Sequence, residues 1–108
     1  MAKKSASATK AAAAKQRTAV GTEEEVDVEI AAEESAAWIN KVPLDLKNGK
    51  GSMDLLPGKH ALTFEVRGAP GTVWSVKITA PKEAKSEDGD NFDDTGFDAG
   101  RIKFTVGD

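Results

Sequence analysis

Cysteine and tyrosine are absent from this chain, and histidine occurs once, as His60. Without cysteine there is no disulfide framework, no thiol nucleophile and no thiolate-held metal, and a single imidazole does not build a histidine-ligated zinc centre. Long apolar runs are missing as well. No window approaches the roughly 18–20 consecutive apolar residues that a membrane span requires. Lys3 and Lys4 follow the first residue, but no apolar run of about 7–15 residues comes after them, so a secretory signal is not expected and a cytoplasmic or other intracellular setting is. Three catalytic signatures are also lacking: a G-x-S-x-G elbow, a phosphate-binding P-loop and a G-x-G-x-x-G after a strand.

What is present is 108 residues, 39% of them hydrophobic and 31% charged. That length suits one soluble domain and no more. The formal net charge of −3 conceals a division. Lys3, Lys4, Lys10, Lys15 and Arg17 lie in residues 1–20 with no acid among them, whereas the rest of the chain holds all 18 acids against ten bases. The chain reads as a cationic arm, 1–21, on an anionic body, 22–108. The arm is mostly Ala, Lys, Ser and Thr with no large apolar residue between Met1 and Val20, so it has little to bury and is expected to be flexible. Residues 9–17 have good helix propensity, but so short a stretch is marginal alone. Five cations would be drawn to nucleic acid or to an anionic protein surface.

The body reads as strands. Val26, Val28 and Ile30 alternate with Asp27 and Glu29, the period-2 pattern of a half-buried strand. Trp38, Asn40, Val42, Leu44 and Leu46 form a second alternating line, with Pro43 on the opposite face as the mark of an edge strand or bulge. Between these lines, AAEESAAW has helical composition over at most one turn. From residue 47 the punctuation is regular: KNGKGS, LPGKH and RGAPGT are turns, and they enclose SMDLL, HALTFEVR and TVWSVKITA. Leu62, Phe64 and Val66 share one face, as do Trp74, Val76 and Ile78, and then Ile102, Phe104 and Val106 in RIKFTV. About six short strands separated by turn signals predict an all-β fold, a small antiparallel sandwich or barrel.

Residues 82–100, KEAKSEDGDNFDDTGFDAG, look like a long acidic loop, and long loops in small domains are usually functional. Glu87, Asp88, Asp90, Asn91, Asp93 and Asp94 supply the oxygen-rich chemistry that a hard cation such as calcium requires. They do not make an EF-hand: with Gly96 in the sixth position, the twelfth falls on Ile102 instead of Glu. SEDGDNFDD, Ser86 to Asp94, resembles the acidic calcium loop of the small bacterial calcium-mediated lectins. That resemblance implies a β-sandwich in which the same six residues hold paired calcium ions that coordinate sugar hydroxyls. In that family the loop passes directly into an apolar strand, whereas here TGFDAGR intervenes.

Trp38 and Trp74 are both in phase with aliphatic neighbours and read as core, with Trp38 the better candidate for stacking on a sugar ring. Phe92 and Phe97 are expected to pin the acidic loop to the body. His60 reads as a surface histidine without a catalytic partner. The expected function is therefore a non-enzymatic structural or protein-binding module within a larger assembly, touching a protein partner or further copies of itself through its arm and its edge strands. The alternatives are a small calcium-dependent carbohydrate binder using the acidic loop, with Trp38 as its stacking candidate, and a nucleic-acid-associated protein using Lys3, Lys4, Lys10, Lys15 and Arg17.

Overall fold

The computed structural model describes residues 22–107. Eight strands carry the fold: β1 (Glu24–Ala31), β2 (Glu34–Ile39), β3 (Val42–Leu44), β4 (Lys50–Leu55), β5 (Gly58–Arg67), β6 (Val73–Ala80), β7 (Ser86–Asn91) and β8 (Phe97–Val106). A single 3-10 turn, Lys82–Ala84, lies between β6 and β7. The strands form two four-stranded antiparallel sheets, a first in the order β4-β1-β6-β7 and a second in the order β3-β2-β5-β8. The sheets pack as a sandwich, β7 approaching β8 along one side and β3 approaching β4 along the other.

Alternation explains why these strands close on one another. Val26, Val28 and Ile30 of β1 and Trp74, Val76 and Ile78 of β6 are buried from the first sheet. Leu62, Phe64 and Val66 of β5, with Phe104 and Val106 of β8, are buried from the second, and Ile102 is half-buried beside them. Each such side chain removed from water contributes about 1.5–3 kcal/mol, so this shared interior is the main stabilising element. Three rings continue through it. Phe64 and Trp74 have centroids 5.4 Å apart, and Trp74 and Phe92 6.5 Å apart. Phe92 thus pins its connection to the body, as expected, and its N–H donates to the Thr72 carbonyl at 2.9 Å.

Three expectations are corrected. The segment of helical composition is strand β2, paired with β5 through six registers from Glu34↔Arg67 to Ile39↔Leu62. Cross-strand pairing and the burial of Ala37 and Ile39 outweigh the weak helical preference of Ala and Glu. The line from Trp38 to Leu46 is not one strand but a hairpin. Asn40 and Lys41 both take positive φ, 52° and 71°, which is the two-residue turn whose twist suits a hairpin. Such a turn pairs Ile39 with Val42, Trp38 with Pro43 and Ala37 with Leu44, so the face carried by even-numbered residues before the turn is carried by odd-numbered ones after it. Ala37, Ile39 and Leu44 are buried, and Trp38 lies on the outer face.

The third correction concerns residues 82–100. Ser86–Asn91 forms β7 along β6, and Phe97 already opens β8, so only Phe92–Gly96 is an irregular connection after β7. An edge strand needs no apolar alternation, and β7 has none.

Candidate binding face

The outer face of the second sheet is assembled by register. Trp38, Thr63 and Arg101 form one row across β2, β5 and β8. The next outward row toward the β2–β3 turn brings Ala61 beside Lys103, and the one after it Lys59 beside Thr105. Three cations therefore gather on one half of the face, and among the described residues none of them has an ion-pair partner. The one salt bridge found there, Lys50 to Glu29 at 3.8 Å, lies on the other sheet. Glu34, Glu65 and Arg67 occupy the far half, where the Arg67 guanidinium stands 4.7 Å from the centre of the Phe97 ring.

Asn40 closes the basic half. Its N–H donates to the Ala61 carbonyl at 2.9 Å, and its Oδ1 accepts from the Ala61 N–H at 3.1 Å. Its Nδ2 donates to His60 Nδ1 at 2.8 Å, while His60 Nε2 donates to the Leu56 carbonyl at 2.7 Å. An amide NH2 can only donate and a carbonyl can only accept, so these partners select the neutral tautomer with hydrogen on Nε2. His60 is not the free surface residue expected. It is half-buried, in phase with Leu62, with its ring 5.7 Å from that of Phe104 and both nitrogens engaged. Beside it opens a shallow hollow of about 510 Å³, walled by Asn40, Lys59, Arg101, Lys103 and Thr105 with Ala61 among its lining residues.

The outer face of the first sheet has the opposite character. Glu25 lies opposite Asp54, Asp27 opposite Ser52, and Glu29 and Glu87 opposite Lys77. Repulsion from Asp27, together with Asp54, holds the Glu25 carboxyl above its usual range. Ser52 Oγ donates to Asp27 Oδ1 at 2.8 Å.

The six residues proposed as calcium ligands are divided by the pleat. Asp88 and Asp90 share a face with Val76 and Trp74, Glu87 and Asn91 lie on the opposite face, and Asp93 and Asp94 follow in the connection. Several of their carboxylates turn back on the main chain: Asp88 Oδ1 accepts from the Gly89 N–H at 2.8 Å and Asp90 Oδ1 from the Asn91 N–H at 2.7 Å. Asp93 Oδ1 accepts from the Thr95 N–H at 2.9 Å and from the Thr95 hydroxyl, which holds its pKa below the usual carboxylate range. Among the described residues, no three acidic or imidazole side chains are grouped to hold a metal ion. Lys3, Lys4, Lys10, Lys15 and Arg17 lie outside the described residues.

Trp38 thus keeps its place as a stacking candidate, on a face that alternation alone misassigned. Lys59, Arg101 and Lys103 were missed. Arg101 and Lys103 do alternate with Ile102 and Phe104, which marks them as outward-facing, but their meeting with Lys59 depends on the β5–β8 pairing. No family model, curated protein or solved structure matches the chain.

Proposed function

We propose that the protein is a non-enzymatic binding module whose contact surface is the outer face of β3-β2-β5-β8. The observation that carries this reading is the row that joins half-exposed Trp38 to Arg101, beside a hollow walled by Lys59, Arg101 and Lys103, three cations without ion-pair partners among the described residues. Trp and Arg are the residue types that most often dominate binding energy. The commitment of both His60 nitrogens to structural hydrogen bonds leaves no imidazole free for proton transfer, which supports a role without catalysis.

Three of the four edges, β3, β7 and β8, suit a partner less well than the face does. β3 is three residues long and contains Pro43, and β8 presents Arg101 and Lys103 along its length. On β7 the N–H groups of Gly89 and Asn91 are occupied by neighbouring carboxylates. Short strands, proline and charge are the devices that keep a sheet edge from pairing with another chain.

NMR titration of the isotopically labelled protein tests this reading with four probes: a neutral oligosaccharide, an acidic oligosaccharide, an acidic peptide and a single-stranded oligonucleotide. Shifts centred on Trp38, Ala61 and Lys103 for at least one probe are expected. Shifts confined to β4 and β7, or none with any probe, overturn it.

A second reading follows from the charge of the two outer faces. Five carboxylates, Glu25, Asp27, Glu29, Asp54 and Glu87, stand on the first sheet against Lys50 and Lys77, opposite in sign to the basic half of the second. Copies of the chain could stack face to face as units of an assembly. Light scattering across salt concentrations tests this, with a larger particle at low salt expected and a salt-independent monomer counting against it.

A further inference from the structure

Resting on the binding-face reading, we infer that the ligand is an acidic glycan, a chain of pyranose rings bearing carboxylates. Trp38 and Arg101 lie in one row with Thr63 between them, two strand spacings or roughly 10 Å apart. A small anion held by Arg101 makes no use of the apolar indole face. An extended ligand can reach both groups, if it offers an apolar face at one end and an anion at the other.

A sugar chain has this alternation of chemistry. The C–H face of a pyranose ring lies flat on an indole, and beside Trp38 on this face Ala36 and Ala61 carry no side chain beyond Cβ and Thr63 is small, while Pro43 of β3 stands on its other side. The carboxylate of the next ring but one then falls at Arg101, whose planar guanidinium donates two parallel hydrogen bonds to a carboxylate, with Lys103 and Lys59 adding charge. Asn40, locked by Ala61 and His60, supplies a fixed polar wall to the hollow.

The same residues fit nucleic acid less well. Single-strand binding faces stack successive bases on several aromatic rings over a strongly basic groove. Here one indole is available, because the other outer-face ring, Phe97, lies beneath Arg67.

Calorimetric titration of the full-length protein with tetragalacturonate at low salt tests the inference. Binding is expected, and it should weaken by about tenfold or more in Trp38→Ala and in the pair Arg101→Gln with Lys103→Gln. Ala61→Gln, which fills the hollow, should weaken it similarly. Lys50→Gln with Lys77→Gln on the other sheet, and removal of residues 2–17, should leave it unchanged. Circular dichroism of each variant verifies that these outward-facing substitutions preserve the fold. Absence of binding, equal binding of an uncharged galactose tetramer, or full binding by Trp38→Ala overturns the inference. Tighter binding of an oligonucleotide that is lost in the same variants overturns the glycan assignment while leaving the face in place. Binding lost only with residues 2–17 overturns both.

Discussion

The ring of Phe64 lies across the backbone of Gly100: a Cβ built at Gly100 would stand 2.6 Å from Phe64 Cζ, inside any real carbon–carbon contact. The two residues face each other across the β5–β8 pairing, and the space a side chain would occupy at Gly100 is filled by the aromatic ring. The glycine is therefore required by packing, since its backbone is ordinary strand.

Gly100→Ala is accordingly expected to destabilise the protein by about 1–3 kcal/mol, the usual result of overfilling a packed interior. Chemical denaturation measures it. Phe64→Leu in the same background should return part of the loss by vacating the space, so the two substitutions should be non-additive.

Trp74 is almost fully buried between Phe64 and Phe92, yet its Nε1 finds no hydrogen-bond partner among the described residues. A buried donor left unsatisfied costs about 1–3 kcal/mol. Trp74→Phe removes that donor and keeps a ring in the stack, so the loss of indole volume is largely offset. A change in stability below about 1 kcal/mol is expected, against about 3–5 kcal/mol for Trp74→Ala. Thermal unfolding separates the two. The Phe variant also leaves Trp38 as the sole indole, so its fluorescence reports the proposed binding face directly.

Much of the sandwich is legible in the sequence wherever a strand is covered on one side. Val26, Val28 and Ile30, or Leu62, Phe64 and Val66, display their pleat because burial demands alternation. β7 is illegible for the converse reason, since an edge strand with solvent-exposed carboxylates resembles a loop in composition. Trp38 shows a different failure: alternation followed along the chain remains regular through a two-residue hairpin, but the chain reverses and the inward parity changes. The binding face is the least legible of all, because Lys59 meets Lys103 only through pairing between strands distant in sequence. Charge alternation could show that Arg101 and Lys103 point outward, but not what stands beside them.

Two glutamates that depart from the usual range, Glu25 on β1 and Glu83 in the 3-10 turn, predict opposite responses to pH. Glu25 titrates high because Asp27, and then Asp54, repel its charge. Such a group favours the folded state at low pH, and its contribution is lost as pH rises through the raised value. Glu25→Gln should therefore melt higher than the parent at neutral pH, and the difference should vanish in acid. Glu83 titrates low, held by its own backbone N–H and by the Gly107 N–H, which donates to Oε2 at 3.0 Å. Its contribution is present above the ordinary glutamate range, near about pH 4.3, and is lost as pH falls through the depressed value. Glu83→Gln should melt lower than the parent at neutral pH and converge with it in acid.

Asn40 joins the turn to the hollow, and its two roles can be separated. Its φ of 52° lies in the left-handed region, which asparagine and glycine tolerate and alanine resists by about 1–2 kcal/mol. Its side chain also donates to His60 Nδ1 and accepts from the Ala61 N–H. Asn40→Gly keeps the backbone conformation and removes only these bonds, each worth about 0.5–1.5 kcal/mol. Asn40→Ala removes the bonds and adds the conformational strain. The expected order of stability by urea denaturation is therefore parent, then glycine, then alanine, with the step between the variants measuring the turn. If the side chain is what holds the wall of the hollow, both variants should weaken ligand binding equally although their stabilities differ. A glycine variant that binds like the parent would show that the turn alone positions Ala61, with the amide contributing to stability and not to recognition.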